Sequence, residues 1–225
     1  MRITTRVLAF VAIAVASVLL SASGALASGV LPARARPHGW SLDRMTAAMA
    51  QFSTSGNSGA YYPPTPFQIL YATPNTGTLV SVDGGYEALN SNNFVASTGT
   101  YFFVPLWNAD DSPPIVGVWP MTHQEAIPYF FAPSQVGGRD FAITIDGHAT
   151  PIGPAYLAGP ITTAPLQDGG GTHIITLGAF VHPLPAGSHT ISISGGVFGS
   201  DIPETYSFAF LEQDITYTVT VRPFR

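Results

Sequence analysis

Leu184-Pro185-Ala186-Gly187-Ser188-His189-Thr190-Ile191-Ser192-Ile193-Ser194-Gly195 reads as a tight turn that feeds a strand. Pro185 fixes φ and has no N–H to donate, and Gly187 admits a positive φ. Beyond the turn, Ile191 and Ile193 face one way while Thr190, Ser192 and Ser194 face the other, the period of a half-buried strand. His189 stands where sandwich corners often carry a tyrosine whose hydroxyl bonds the backbone of the turn. A ring nitrogen can do the same work, so His189 reads as a structural corner rather than a ligand.

The same period recurs on both sides of this stretch. Phe141, Ile143 and Ile145 alternate with Ala142 and Thr144 before a hairpin-type Asp146-Gly147 turn. Ile215, Tyr217, Val219 and Val221 alternate with threonines, the best such signal in the chain, and Tyr206, Phe208 and Phe210 alternate with Ser207 and Ala209. Strands are also expected over Gln68–Ala72, Thr78–Val82, Thr98–Trp107, Ile115–Trp119 and Thr172–Phe180. The apolar run Tyr101–Val104 fits a strand covered on both faces.

Two helices are expected. Ser41 caps one whose Leu42, Met45, Met49 and Phe52 form a single apolar stripe. Thr122-x-x-Glu125 has the form of a capping box for a second, which Pro128 limits in length. About eight to ten short strands with Gly/Pro turns and no βαβ rhythm make the chain all-β: an antiparallel β-sandwich, jelly-roll or Ig-like, with one or two short helices.

Arg2 and Arg6, the apolar run Val7 to Leu20 and the small-x-small Ala25-Leu26-Ala27 read together as a signal peptide over 1–27. That run is shorter than the ~20 residues a spanning helix needs. Residues 28–39, with Pro32, Pro37, Arg34 and Arg36 and no periodicity, are expected to be a flexible mature N-terminus. Residues 40–225 are then a single domain, secreted or held in the cell envelope, with no membrane association after cleavage.

Composition excludes several chemistries. There is no cysteine, so no disulfide framework, thiol nucleophile or thiolate metal site. The eight basic residues are all arginine and face 13 acids for a net charge of −5; losing Arg2 and Arg6 makes the remainder more acidic still. Nucleic acid and anionic membranes are therefore disfavoured as partners. No G-x-S-x-G is present, S-x-x-K is impossible without lysine, and Asp168-Gly169-Gly170-Gly171 opens a strand rather than a phosphate-cradling helix.

The remaining candidates are few. Tyr61, Tyr62, Trp107 and Trp119 are the rings that a loop or strand end would offer a ligand. His123, Glu125, His148 and His173 are the imidazole and carboxylate groups from which a metal or acid/base site would be assembled, although none forms a local H-x-x-x-H pair. Asn108, Asp110 and Asp111 are oxygen donors in one loop, a set that Ca²⁺ accepts. No cofactor is called for by the sequence; Ca²⁺ or a transition metal would enter only through these side chains.

In order along the chain stand a helix over Trp40–Phe52, then Gly99-Thr100-Tyr101-Phe102-Phe103-Val104-Pro105, Phe141-Ala142-Ile143-Thr144-Ile145-Asp146-Gly147 and His182-Pro183-Leu184-Pro185-Ala186-Gly187-Ser188-His189-Thr190-Ile191. This order resembles a family of uncharacterised secreted bacterial proteins with the pattern "ffvP … iDG … LppGxHtI". The resemblance implies a secreted β-rich domain and carries over no catalytic residue. Export, a β scaffold and a low-charge surface lead to the expectation of a non-catalytic extracellular or envelope module that binds a glycan or an envelope protein. The alternative is a secreted hydrolase with a His/carboxylate site, with or without a metal.

Overall fold

The computed structural model describes residues 29–54, 65–71, 77–82 and 85–223. Among them the chain forms ten strands: β1 (Phe67–Ile69), β2 (Gly77–Val82), β3 (Gly85–Ser97), β4 (Tyr101–Asp110), β5 (Gly138–Ile145), β6 (His148–Pro151), β7 (Leu157–Thr162), β8 (His173–Val181), β9 (Gly187–Val197) and β10 (Leu211–Arg222). Three α-helices accompany them: α1 (Leu42–Thr54), α2 (His123–Phe131) and the single turn α3 (Ile202–Thr205).

The strands make a sandwich of two open sheets, one ordered β1-β4-β8-β7 and the other β2-β3-β10-β9-β5-β6. Alternation decides which side chains meet. Phe141, Ile143, Ile191, Ile193, Tyr217 and Val219 of the larger sheet share one core with Phe102, Val104, Ile175, Leu177 and Ala179 of the smaller. The smaller sheet is covered on its other face as well. There the stripe Leu42, Met45, Met49 and Phe52 of α1 packs on Phe67, Phe103 and Phe180. Residues Phe102 to Leu106 are consequently all buried, as a run without alternation demands. Ser41 caps α1 by accepting from the Arg44 N–H at 3.2 Å, and Thr122 and Glu125 close a full capping box on α2.

Five features depart from the sequence reading. Two strand pairs, β1 with β4 and β3 with β10, are parallel. Residues 29–39 are not a loose arm: Val30 bridges Val181, the Leu31 N–H donates to Phe180 O at 2.8 Å, and the His38 ring stands edge-on to Tyr101 at 5.2 Å. Their backbone finds partners at the end of β8, which a reading of composition cannot foresee. Ile115–Trp119 and Tyr206–Phe210 form no strand; Tyr206 and Phe208 instead stack on one another at 5.3 Å and 9°. Finally, α2 runs through Pro128 for three more residues, and the Ala132 N–H closes it on Pro128 O at 2.8 Å.

The corner at His189 is built as its position suggested. Asp146 and Gly147 take φ values of 47° and 84°, the paired positive φ of a type I′ hairpin turn. Asp146 Oδ1 then accepts from the Thr190 N–H at 2.9 Å and Oδ2 from His189 Nδ1 at 2.7 Å, while Nε2 donates to Pro185 O at 3.0 Å. Both ring nitrogens are engaged, and the ring joins two turns across the end of the larger sheet. His189→Ala is expected to lower unfolding free energy by about 1–2 kcal/mol, measured by urea denaturation, because the carbonyl and carboxylate lose their donors.

Candidate functional site

Two adjoining cavities, of about 410 Å³ and about 290 Å³, open at the end of the sandwich where β4 runs out, and they share Trp107, Asn108, Asp110 and Asp168. The larger lies in the 300–1,000 Å³ range usual for small-ligand sites. A bulge in β4 between Pro105 and Trp107 shifts its register on β8 and re-aims the last residues of the strand. Trp107 packs edge-to-face on Phe141 at 6.1 Å and forms part of the wall. Val136, Val197, Ile202 and Leu211 complete an apolar wall, with Tyr206 and Phe208 stacked along it.

The polar end is held by Ser112. Its N–H donates to Asp110 Oδ1 at 2.8 Å, its hydroxyl donates to Asp168 Oδ1 at 3.4 Å, and the same hydroxyl accepts from the Gly171 N–H at 3.0 Å. One serine thus keeps two carboxylates at the same end of the cavity. Partial burial, then the charge of Asp110, push the Asp168 carboxyl above its ordinary range. Asn108 spends its Oδ1 on the Thr176 hydroxyl at 2.6 Å, and among the described residues its amide NH₂ has no hydrogen-bond acceptor.

Tyr129 of α2 completes the site. Its residue surface is only 4% exposed, yet among the described residues its hydroxyl makes no hydrogen bond. Burial, then Tyr206, then Asp110 raise its pKa well above the usual phenol value, so it stays protonated and can donate. Tyr206 and Asp110 both line the larger cavity, which places the Tyr129 hydroxyl toward it. The hydroxyl is not a sealed, unsatisfied atom: the ring is buried and the oxygen opens on the cavity, where a ligand can reach it. The Tyr206 hydroxyl, by contrast, donates to Pro114 O at 3.2 Å.

The residues singled out from sequence fare unequally. Trp107 lines both cavities, and so do Asn108 and Asp110 of the loop oxygen set. Asp111 turns away: its Oδ1 accepts from the Thr172 N–H at 2.6 Å and the His173 N–H at 2.7 Å, and its Oδ2 from His173 Nδ1 at 2.8 Å. Trp119 packs edge-to-face on Tyr129 at 5.4 Å, its buried indole N–H without a partner among the described residues. Tyr61 and Tyr62 lie outside the described residues.

The four metal candidates are dispersed. His123 opens α2 with Nδ1 3.0 Å from Gly159 O, and Glu125 accepts from the Met121 and Thr122 N–H groups at 2.9 and 3.0 Å. His148 is exposed at the start of β6, and His173 is tied to Asp111 at the start of β8. Among the described residues no three His, Asp or Glu side chains gather as a metal site needs. Sequence reasoning missed Tyr129, which sat in an aromatic run, and Asp168, which read as part of a glycine loop.

No helix among the described residues is long and apolar enough to cross a membrane. No protein-family model matches the chain, and comparison with curated proteins and with solved structures likewise finds no match.

Proposed function

We propose that the protein is an exported, non-catalytic binding module that takes a short glycan unit into the cavity at the end of its sandwich. The observation that carries this reading is the Tyr129 hydroxyl, which opens on the cavity from an otherwise buried residue, makes no hydrogen bond among the described residues, and shares that cavity with Asn108, Asp110 and Asp168. Sugars present apolar C–H faces and a rim of hydroxyls. Aromatic walls suit the first, and a donor beside two carboxylate acceptors suits the second. Export rests on the N-terminal pattern of residues 1–27.

The test is Tyr129→Phe. Removing a hydroxyl that bonds none of the described residues is expected to leave the thermal midpoint unchanged. Binding on a glycan array should fall about tenfold, one hydrogen bond's worth. Unchanged affinity in the variant, or no glycan retained by the intact protein, overturns the reading. A second reading, hydrolysis at the same site, is favoured by the raised Asp168 carboxyl beside Asp110, the pattern of an acid/base pair. Reducing ends appearing during incubation with a retained glycan, and lost in Asp168→Asn, would select it.

A further inference from the structure

We infer that the ligand of this cavity is an amino sugar, its ammonium group seated between Asp110 and Asp168. The inference rests on the glycan reading and narrows it to one class.

Charge is the first ground. No arginine or histidine among the described residues lines either cavity, and the chain has no lysine. Among the described residues neither Asp110 nor Asp168 has a salt-bridge partner. Arg34, Arg36 and His123 line a separate groove beside the start of α1. Two carboxylates linked through one serine repel each other in a partly apolar cavity, and a cation between them removes that repulsion.

Geometry favours an organic cation over a metal ion. A divalent ion such as Ca²⁺ takes six to eight oxygen ligands. Here Asn108 Oδ1 is spent on Thr176, Asp111 is turned toward β8, and most of the wall is apolar. A primary ammonium is satisfied by two or three acceptors, and the rings of Trp107 and Phe208 give its neighbouring C–H and cationic surface a favourable face. The Tyr129 hydroxyl, open to the cavity and unpartnered among the described residues, then donates to a ring or hydroxyl oxygen of the same sugar.

The raised Asp168 carboxyl adds a consequence. A cation beside it favours the ionised form, so binding should release a proton where Asp168 is partly protonated. The other titratable groups on the wall of the larger cavity are Asp110, Tyr129 and Tyr206, both phenols held above their ordinary value, and the smaller cavity adds Tyr71 and Tyr217.

Three disaccharides with one backbone provide the test: the β-1,4 glucosamine dimer, its N,N′-diacetyl form and cellobiose, which carry an ammonium, an amide and a hydroxyl at C2. Calorimetry at pH 6 is expected to give the amine dimer at least about a tenfold advantage over the other two, the scale of one hydrogen bond to a charged group. Raising the salt concentration should shrink that advantage in the wild-type protein. Asp110→Asn and Asp168→Asn should each bring the ratio toward one, weakening the amine dimer far more than the diacetyl dimer. Equal binding of all three, lost together in Tyr129→Phe, overturns the amine assignment and leaves the glycan reading standing. An amine preference that is insensitive to salt, or that survives in both asparagine variants, places the cation elsewhere and overturns the inference. Failure of all three sugars overturns it too, and the glycan array then decides the broader reading.

Discussion

Gly199→Ala is expected to cost about 3 kcal/mol or more in unfolding free energy, because backbone rather than side chain blocks the new methyl group. A Cβ at Gly199 would run into the carbonyl of Gln135 and come within 2.6 Å of Val136 C. Carbonyls of this kind cannot swing aside. The Gly199 N–H is bonded to Val136 O at 2.9 Å and the Phe198 N–H to Gly137 O at 3.2 Å, so the two chain segments are held at contact. Gly137, at φ 65°, approaches from the other side and would place its own Cβ 2.6 Å from Gly199 Cα. Two glycines therefore cross where the chain leaving α2 passes the end of β9.

The crossing also shapes the site. Val136, Val197 and Ile202 flank these glycines and line the larger cavity, so forcing the strands apart moves one wall of it. Gly153→Ala is the control: nothing lies within 4 Å of its would-be Cβ, and the change should stay within about 0.5 kcal/mol. Chemical denaturation of both variants measures the difference. A Gly199→Ala protein as stable as the Gly153→Ala protein would mean that the crossing is looser than these distances imply.

Period-two alternation predicted β5, β9 and β10 because each of these strands has one face on the core and one in solvent. The stripe of α1 and the capping box of α2 were legible for the same reason: their determinants are local. β3 was not. Gly85-Tyr86-Glu87-Ala88-Leu89-Asn90-Ser91-Asn92-Asn93 lacks a strand's composition. One edge pairs antiparallel with β2 from Val82 and Gly85 onward, where Asp83-Gly84 is a short-range signal that the sequence reading misses. The other takes a 12-residue parallel register on β10, more than a hundred residues away in the chain. A parallel partner requires a long crossover, so no turn between neighbouring segments announces the pairing of β3 with β10. Tyr206–Phe210 shows the opposite failure. Its alternation is as good as that of a strand, but its rings are used to wall a cavity, and β10 begins only at Leu211.

The site was legible in its aromatic part and hidden in its polar part. Trp107 and Asp110 could be nominated as a strand end running into a loop. Asp168 reaches them through Ser112 across 56 residues, and Tyr129 arrives on a helix whose other rings, Phe130 and Phe131, pack together at 4.9 Å. Neither has a signal at short range. What marks Tyr129 is that its hydroxyl opens on the cavity and bonds none of the described residues, which only the assembled fold makes visible.

Asp111→Ala should lower stability by about 2–3 kcal/mol at neutral pH, through loss of the donors' partner rather than loss of packing. Asp111 is 18% exposed and accepts three bonds, from the N–H groups of Thr172 and His173 and from the His173 ring. Alanine leaves both N–H groups at the head of β8 without an acceptor and the imidazole without its carboxylate. It also frees the segment that carries Ser112, so the two carboxylates of the cavity lose their common anchor. Partial burial works against ionisation of Asp111, but the bonds from the His173 ring, the His173 N–H and the Thr172 N–H together outweigh it, and the carboxyl lies below its ordinary value. A carboxylate depressed in the folded state stabilises fully above its unfolded pKa of about 3.9 and loses that contribution as pH falls toward the folded value. The stability gap between wild type and Asp111→Ala should therefore be constant from neutral pH down to about pH 5 and narrow below about pH 4. Asp146, also depressed against its partial burial by His189 and Thr190, adds to the acid sensitivity of both proteins and so cancels in their difference. Denaturation midpoints measured from pH 7 to pH 3 supply the comparison, and a gap that stays constant through pH 3 would show that the Asp111 bonds do not depend on its charge.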